Sequence, residues 1–322
     1  MTDVRHATVR VPATSANLGP GFDAFGLALS RYLVVRSHPR SASADRVATR
    51  GDGAGEVATG DDNLLWRSVV AFCDTYDAPT PDVHLEVVND IPLERGLGSS
   101  SSAIVAGLVM ARALTGVVVG DRHLVELADR LEGHPDNVAP ALLGGLVACA
   151  LGDDGRLVVR RVNPAPHLRP VVLVPTTRQA TTAARAVLPA CLPREDVAVQ
   201  AGRAGHVLGA LVGAWPADAT ASGDRLHEPA RLQVMGATGA VVAGMRALGI
   251  HAWLSGAGPS AAAMLADGPD GERDEVQRLA DTHGFDVRDL RVDLGGAVAC
   301  LDGGCAFSGT AETCAQCPRQ RI

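Results

Sequence analysis

The stretch that most constrains this chain is Ile91-Pro92-Leu93-Glu94-Arg95-Gly96-Leu97-Gly98-Ser99-Ser100-Ser101-Ser102, which runs directly into an apolar segment. From Ala103 the chain reads as a helix, because Ile104, Leu108, Ala111 and Leu114 recur on one helical face. A glycine loop that opens into a helix gathers unpaired backbone N–H groups and the positive end of the helix dipole at one spot. Such a spot binds anions, and the glycines let a phosphate approach the backbone closely. Serine hydroxyls add bonds to phosphate oxygens, or hard oxygen ligands for magnesium. The same composition also suits a plain capped helix start, so the loop alone leaves both readings open. A Walker-type loop is excluded, because it needs a lysine and all 29 basic residues are arginine. The dinucleotide fingerprint is only partly matched, since Ser101 stands where it needs glycine or alanine. A nucleophile elbow needs a second glycine that is missing here.

With 322 residues the chain can hold one large or two medium domains. Hydrophobic residues make up 47% and charged ones 20%, an ordinary soluble balance. The formal charge of −7 argues against a nucleic-acid or anionic-membrane partner. Without lysine, any cation that helps a phosphate must be an arginine or a metal. Met1 to Arg10 lacks the apolar core of a signal peptide, and the apolar run from Ala103 to Gly120 is too short to span a bilayer. A cytoplasmic location is the expectation, with Cys73, Cys149 and Cys191 reduced.

Along the chain, Thr8–Val11 alternates like a strand and Pro12–Asp23 reads as a broken loop. Gly26–Arg36 reads as a strand, residues 37–62 as an exposed hairpin or loop, and Asn63–Tyr76 as a helix capped by Asp61 or Asp62. His84–Val88 is a strand that feeds the glycine loop, and His123–Glu132 is an amphipathic helix ending at Gly133. Two carboxylates, a histidine and an amide then fall close together at Glu132, His134, Asp136 and Asn137. They read equally well as helix-end polarity or as a metal and substrate cluster. Pro140–Ala150 suits a buried strand or a tight helix–sheet contact, and Asn163-Pro164-Ala165-Pro166 marks a domain boundary. Beyond it the expectations are a strand at Pro170–Pro175, a helix from Thr181, and helices over 197–215 and 231–248. A second glycine loop, Trp253–Ser260, a strand at Ala261–Leu265, a helix at Asp274–His283 and a strand at Val287–Val292 follow, and Val298–Leu301 ends the fold.

Taken together, three glycine-bearing segments at 12–23, 92–102 and 254–260 stand in a fixed order that resembles the GHMP small-molecule kinase superfamily. Pro12-Ala13-Thr14-Ser15-Ala16-Asn17-Leu18-Gly19-Pro20-Gly21-Phe22-Asp23 is similar to the first motif of its homoserine kinase branch. Residues 133–145, beginning Gly133-His134-Pro135-Asp136-Asn137, and residues 181–189, beginning Thr181-Thr182-Ala183-Ala184-Arg185, resemble that branch too. The similarity runs from about Val9 to Leu301.

The resemblance implies an α+β fold of two domains with the site between them. An N-terminal α/β nucleotide-binding domain would span 1–163 and a C-terminal ferredoxin-like α/β domain 166–302. It also implies transfer of the ATP γ-phosphoryl group to the side-chain hydroxyl of L-homoserine, with ATP and Mg²⁺ as cofactors. By matching positions, Pro92, Leu93, Glu94, Arg95, Gly96, Leu97, Gly98, Ser99, Ser100, Ser101 and Ser102 would wrap the phosphates, with Asn63 near the adenine. Ser100, or its neighbour Ser99, and Glu132 would hold the metal. Asn17, Asp23, His134, Asn137, Arg185 and Arg231 would hold homoserine, with Asn17, Thr181 and Arg185 nearest the reaction. The superfamily's usual carboxylate base has no clear counterpart, and Asp136 is the nearest candidate. A homodimer is left open.

The substrate's chemistry fits this set. Homoserine is a zwitterion, so Arg185 and Arg231 suit its carboxylate and Asp23 its ammonium. A sister kinase for mevalonate-like or sugar substrates is the alternative within the class; a nucleotide-binding regulatory module is the alternative outside it. The tail, 303–322, departs from the family. Cys300, Cys305, Cys314 and Cys317 form C-x4-C-x8-C-x2-C, for which a disordered tail is favoured over a zinc site.

Overall fold

The computed structural model describes residues 6–41, 45–266 and 271–301. Its first sheet is organised by two long strands, β1 (Ala7–Ala16) and β2 (Phe25–Pro39), paired antiparallel along their length. β1 begins with the alternation of a half-buried strand, then is buried at every residue from Val11 to Ala16. The expected loop over Pro12–Asp23 is therefore strand in its first half. Its small polar residues are tolerated there because Thr14 and Ser15 each find a side-chain partner. A register shift between Pro12 and Ala13 accommodates the proline.

The second half of β2 pairs with β4 (Val83–Asn89), which carries β3 (Val47–Gly51) in parallel on its far side. The region expected as an exposed hairpin or loop thus contributes an edge strand, paired in parallel and not as a hairpin. The first half of β2 pairs with β5 (Leu146–Leu151), and β5 with β6 (Leu157–Val162), a strand the sequence reading did not anticipate.

Four helices cover this sheet and set up the site. α1 (Leu64–Thr75) is capped by Asn63, not by Asp61 or Asp62: the Asn63 Oδ1 accepts from the N–H groups of Leu65 and Trp66 at 2.9 and 3.3 Å. α2 (Ser99–Thr115) starts four residues earlier than its apolar periodicity suggested, because the serines form its first turn. α3 (Asp121–Glu132) ends at Gly133 as expected, in the left-handed conformation at φ +89°. α4 (Pro135–Leu143) takes the first part of the stretch expected as a buried strand or a tight helix–sheet contact, and runs through Pro140. Pro140 has no N–H for the Asp136 carbonyl, and Gly26 of β2 packs into that spot; a Cβ on Gly26 would lie 1.8 Å from the Asp136 oxygen. The acidic and histidine residues after α3 are thereby fixed against the sheet.

The second sheet contains β7 (Leu168–Pro175), β8 (His251–Leu254), β9 (Ala261–Ala266) and β10 (Phe285–Asp289) in the antiparallel order β10-β7-β9-β8. Between β7 and β8 lie α5 (Thr181–Ala186), α6 (Arg194–Leu211), α7 (Glu228–Val234) and α8 (Gly236–Ala247); α9 (Gly271–His283) joins β9 to β10. This is the split-βαβ order of a ferredoxin-like unit, and the overall class is α+β as expected. The single helix expected over 231–248 is two helices meeting at Met235.

The last strand, β11 (Val298–Leu301), does not stay with the second sheet. It pairs with β1, Ala7 opposite Leu301 and Arg10 opposite Val298, so by pairing it belongs to the N-terminal sheet. Cys300 is buried on this strand. The tail cysteines Cys305, Cys314 and Cys317 lie outside the described residues. Among the described residues no helix is long and apolar enough to cross a membrane.

Candidate active site

A cavity of about 690 Å³ opens where α2 begins, between the N-terminal sheet and the segment leading into α5. Pro92 to Ser101 line it, together with Asn63, Glu132, His134, Asn137, Thr181 and Gly256. Its size suits a nucleotide. Ser102 is not part of the lining; it is fully buried and its hydroxyl donates to the Pro12 carbonyl at 2.8 Å. Asn63 borders the cavity, but its amide is engaged locally: besides the cap, its Nδ2 donates to the Ala58 carbonyl at 2.6 Å.

Gly98 sits at φ +68° at the N-terminus of α2, packed so tightly that a Cβ would lie 1.9 Å from Thr14 Oγ1. Thr14 in turn donates to Asn137 Oδ1 at 2.7 Å and its backbone N–H to the Leu97 carbonyl at 3.0 Å. The first motif therefore clamps the glycine loop. A second clamp comes from the third motif. Trp253 Nε1 donates to Ser15 Oγ (2.9 Å), and Ser255 donates to the Gly96 carbonyl (2.6 Å). Because the Ser255 proton is engaged there, Ser15 must donate in the 2.8 Å Ser15–Ser255 bond. All three glycine segments are thus tied together by hydroxyls. Ser15 and Ser255 lie within those segments and Trp253 beside the third, but no local pattern marks them as partners.

At the mouth of α2, the hydroxyls of Ser100 and Ser101 both donate to one Glu132 oxygen, at 2.6 and 2.7 Å. Three hard oxygens converge there, beside the unpaired N–H groups of a helix start. Next to them His134 Nδ1 meets Asp136 Oδ1 at 2.9 Å, and Asn137 Nδ2 donates to the same oxygen at 3.3 Å. Burial disfavours the charged imidazole, yet the hydrogen bond and charge of Asp136 outweigh it and raise the His134 pKa.

The remaining expected substrate residues, Asn17, Asp23, Arg185 and Arg231, are not in the cavity lining; Asn17 and Arg231 reach its edge at Gly256, whose carbonyl accepts from Asn17 Nδ2 (2.9 Å) and from Arg231 (3.1 Å). Asn17 stands at φ +68° and its Oδ1 accepts the Asp23 N–H at 3.1 Å, which orients Asp23. Asp23 and Arg185, 162 residues apart, form a bidentate pair at 2.7 and 3.1 Å, each about one-third exposed. That hydrogen bond raises the Arg185 pKa despite partial burial. Arg231 is only 2% exposed and donates to the Ala184 and Gly256 carbonyls and to His227 Nδ1. Burial, then the nearby Arg185 charge, lowers its pKa. Both guanidiniums lie over the Phe22 ring, 5.6 and 5.5 Å from its centroid. Thr181, the first residue of α5, is exposed at the cavity wall.

Residues 63–145 match the family model of the GHMP kinases N-terminal domain. The chain is 38% identical to a homoserine kinase from Leifsonia xyli over 97% of both chains. It is 42% identical to one from Streptomyces avermitilis over 90% of this chain and 94% of that one. The fold superposes on the crystal structure of a homoserine kinase from Cytophaga hutchinsonii with a TM-score of 0.80 at 23% identity, covering 93% of this chain and 99% of the other. The chain belongs to the homoserine kinase family of GHMP kinases.

Proposed function

We propose that this protein transfers the γ-phosphoryl group of ATP to the side-chain hydroxyl of L-homoserine, giving O-phospho-L-homoserine and ADP. The carrying observation is that a helix-start anion site lines the cavity and the Asp23–Arg185 pair is tied to the cavity's Gly256 through Asn17. The α2 N-terminus and the 92–101 backbone bind and orient the phosphates. A zwitterionic amino acid inserting between Asp23 and Arg185 would meet an acceptor for its ammonium and a planar fork for its carboxylate. Arg231, held by backbone carbonyls and His227, packs on the Phe22 ring that Arg185 also faces.

Ser100 and Glu132 supply the hard-oxygen set that magnesium favours, with Ser101 as a third contributor. When bound, Mg²⁺ neutralises charge on the phosphate oxygens. Asp136 is 2% exposed and its Oδ1 serves His134 and Asn137, so it orients those two groups. In the transfer the homoserine oxygen forms the new O–P bond while the bond from the γ-phosphorus to the bridging oxygen breaks. The hydroxyl proton passes to a phosphate oxygen. Catalysis then rests on alignment and charge stabilisation.

A coupled ADP-release assay tests the reading by offering L-homoserine beside L-serine, L-threonine and mevalonate. Turnover with homoserine alone is expected; preference for another alcohol would overturn the substrate assignment. In the same assay, Glu132→Gln is expected to raise the half-saturating magnesium concentration about tenfold or more. An unaltered magnesium titration would remove Glu132 from the metal site.

A further inference from the structure

The cavity carries a charge arrangement that the scheme above does not use. Besides Glu132, the carboxylates of Asp52, Glu56, Asp62 and Glu94 line it, a wall that repels a polyphosphate. Among the described residues, the guanidiniums set against them in the lining are those of Arg95 and Arg178. Arg95 is engaged on three backbone carbonyls: its Nε donates to Pro175 at 2.9 Å, and its terminal nitrogens donate to Leu93 and Thr176. It staples the glycine loop to the end of β7 and has little left to offer a ligand.

Arg178 is different. It reaches from the β7–α5 segment to Glu56, which follows β3, in a two-pronged pair whose second bond is 2.8 Å. Both side chains are 45% exposed. An ion pair this exposed is held weakly in water, whereas a triphosphate offers several charged oxygens to a planar fork. The segment is also tied to the glycine loop, because the Gln179 N–H donates to the Glu94 carbonyl at 3.0 Å. Three residues further on stands Thr181, and seven further on Arg185.

We infer that Arg178 is a phosphate-binding residue that exchanges Glu56 for the phosphates of the nucleotide, with Glu56 as its competing partner. The inference rests on the ATP reading of the cavity. It supplies the cation that a lysine-free chain otherwise lacks there. It also places nucleotide binding on the segment that leads into the acceptor-side helix α5.

The mark of exchange is that the two partners act with opposite sign. Calorimetric titration of the full chain with Mg-ATP, ADP and AMP, with no homoserine present, reads this directly. Arg178→Ala is expected to weaken ATP about tenfold and leave AMP nearly unchanged. Glu56→Gln is expected to tighten ATP several-fold, because the competitor is gone. Both variants should melt like the parent without nucleotide, which separates the effect from misfolding. ATP weakened alike by both variants would make the pair a structural strut and overturn the exchange. Equal loss of AMP and ATP in Arg178→Ala would move the contact to the nucleoside or its α-phosphate, away from the β- and γ-phosphates, and overturn it as well. Unchanged ATP affinity in both variants would overturn it while leaving the phosphoryl-transfer reading intact. A parent protein that binds no ATP would remove that reading too.

Discussion

Gly98→Val is expected to lower ATP affinity by about 10²-fold or more while leaving the far-ultraviolet circular dichroism of the fold near that of the parent. Two costs coincide at this position. Its φ of +68° strains a β-branched residue, and any Cβ would lie 1.9 Å from the Thr14 hydroxyl oxygen. Relief requires the start of α2 to move away from β1. That movement breaks the Thr14–Asn137 bond and turns the first N–H groups of the helix away from the phosphates. Isothermal calorimetry with Mg-ATP measures the loss. Parent-like affinity would show that the phosphates sit elsewhere in the cavity.

Arg185→Ala is expected to reduce kcat/KM for homoserine by about 10²-fold or more, through a raised KM, with the KM for ATP little changed. The variant removes the bidentate fork proposed for the substrate carboxylate. It also leaves Asp23 without the partner it holds at 2.7 and 3.1 Å. Arg185→Lys separates the two contributions, since it restores the charge but not the planar geometry. Steady-state kinetics with each substrate varied in turn checks the split. Equal effects on both KM values would indicate a collapsed α5 and not a lost substrate contact.

The sequence made the site's components visible, but not their pairings. The glycine loop and the end of α3 at Gly133 follow local rules, positive-φ glycine and helical periodicity, whereas the ferredoxin-like order of the second sheet came with the family resemblance. What local rules missed was decided by tertiary contacts. Thr14 and Ser15 look like loop residues until Asn137 and Ser255 arrive to satisfy them inside a buried strand. The first turn of α2 is four serines, weak helix formers held in place by Glu132 and Pro12. Asn63 resembled a ligand residue, and the structure gives its amide to the cap of α1. Asp23 and Arg185 were each read as meeting a different end of one substrate; that they also meet each other depends on 162 intervening residues.

The return of β11 to β1 has a consequence for how the chain is made. Residues 7–10 are synthesised long before the segment 298–301 that covers their outer edge. At roughly 5–20 residues per second, that edge waits on the order of 15–60 s for its neighbour. Until then its N–H and C=O groups form an open template for pairing with another nascent chain. The N-terminal sheet, which carries the proposed nucleotide side of the site, is therefore begun before the second sheet and closed after it.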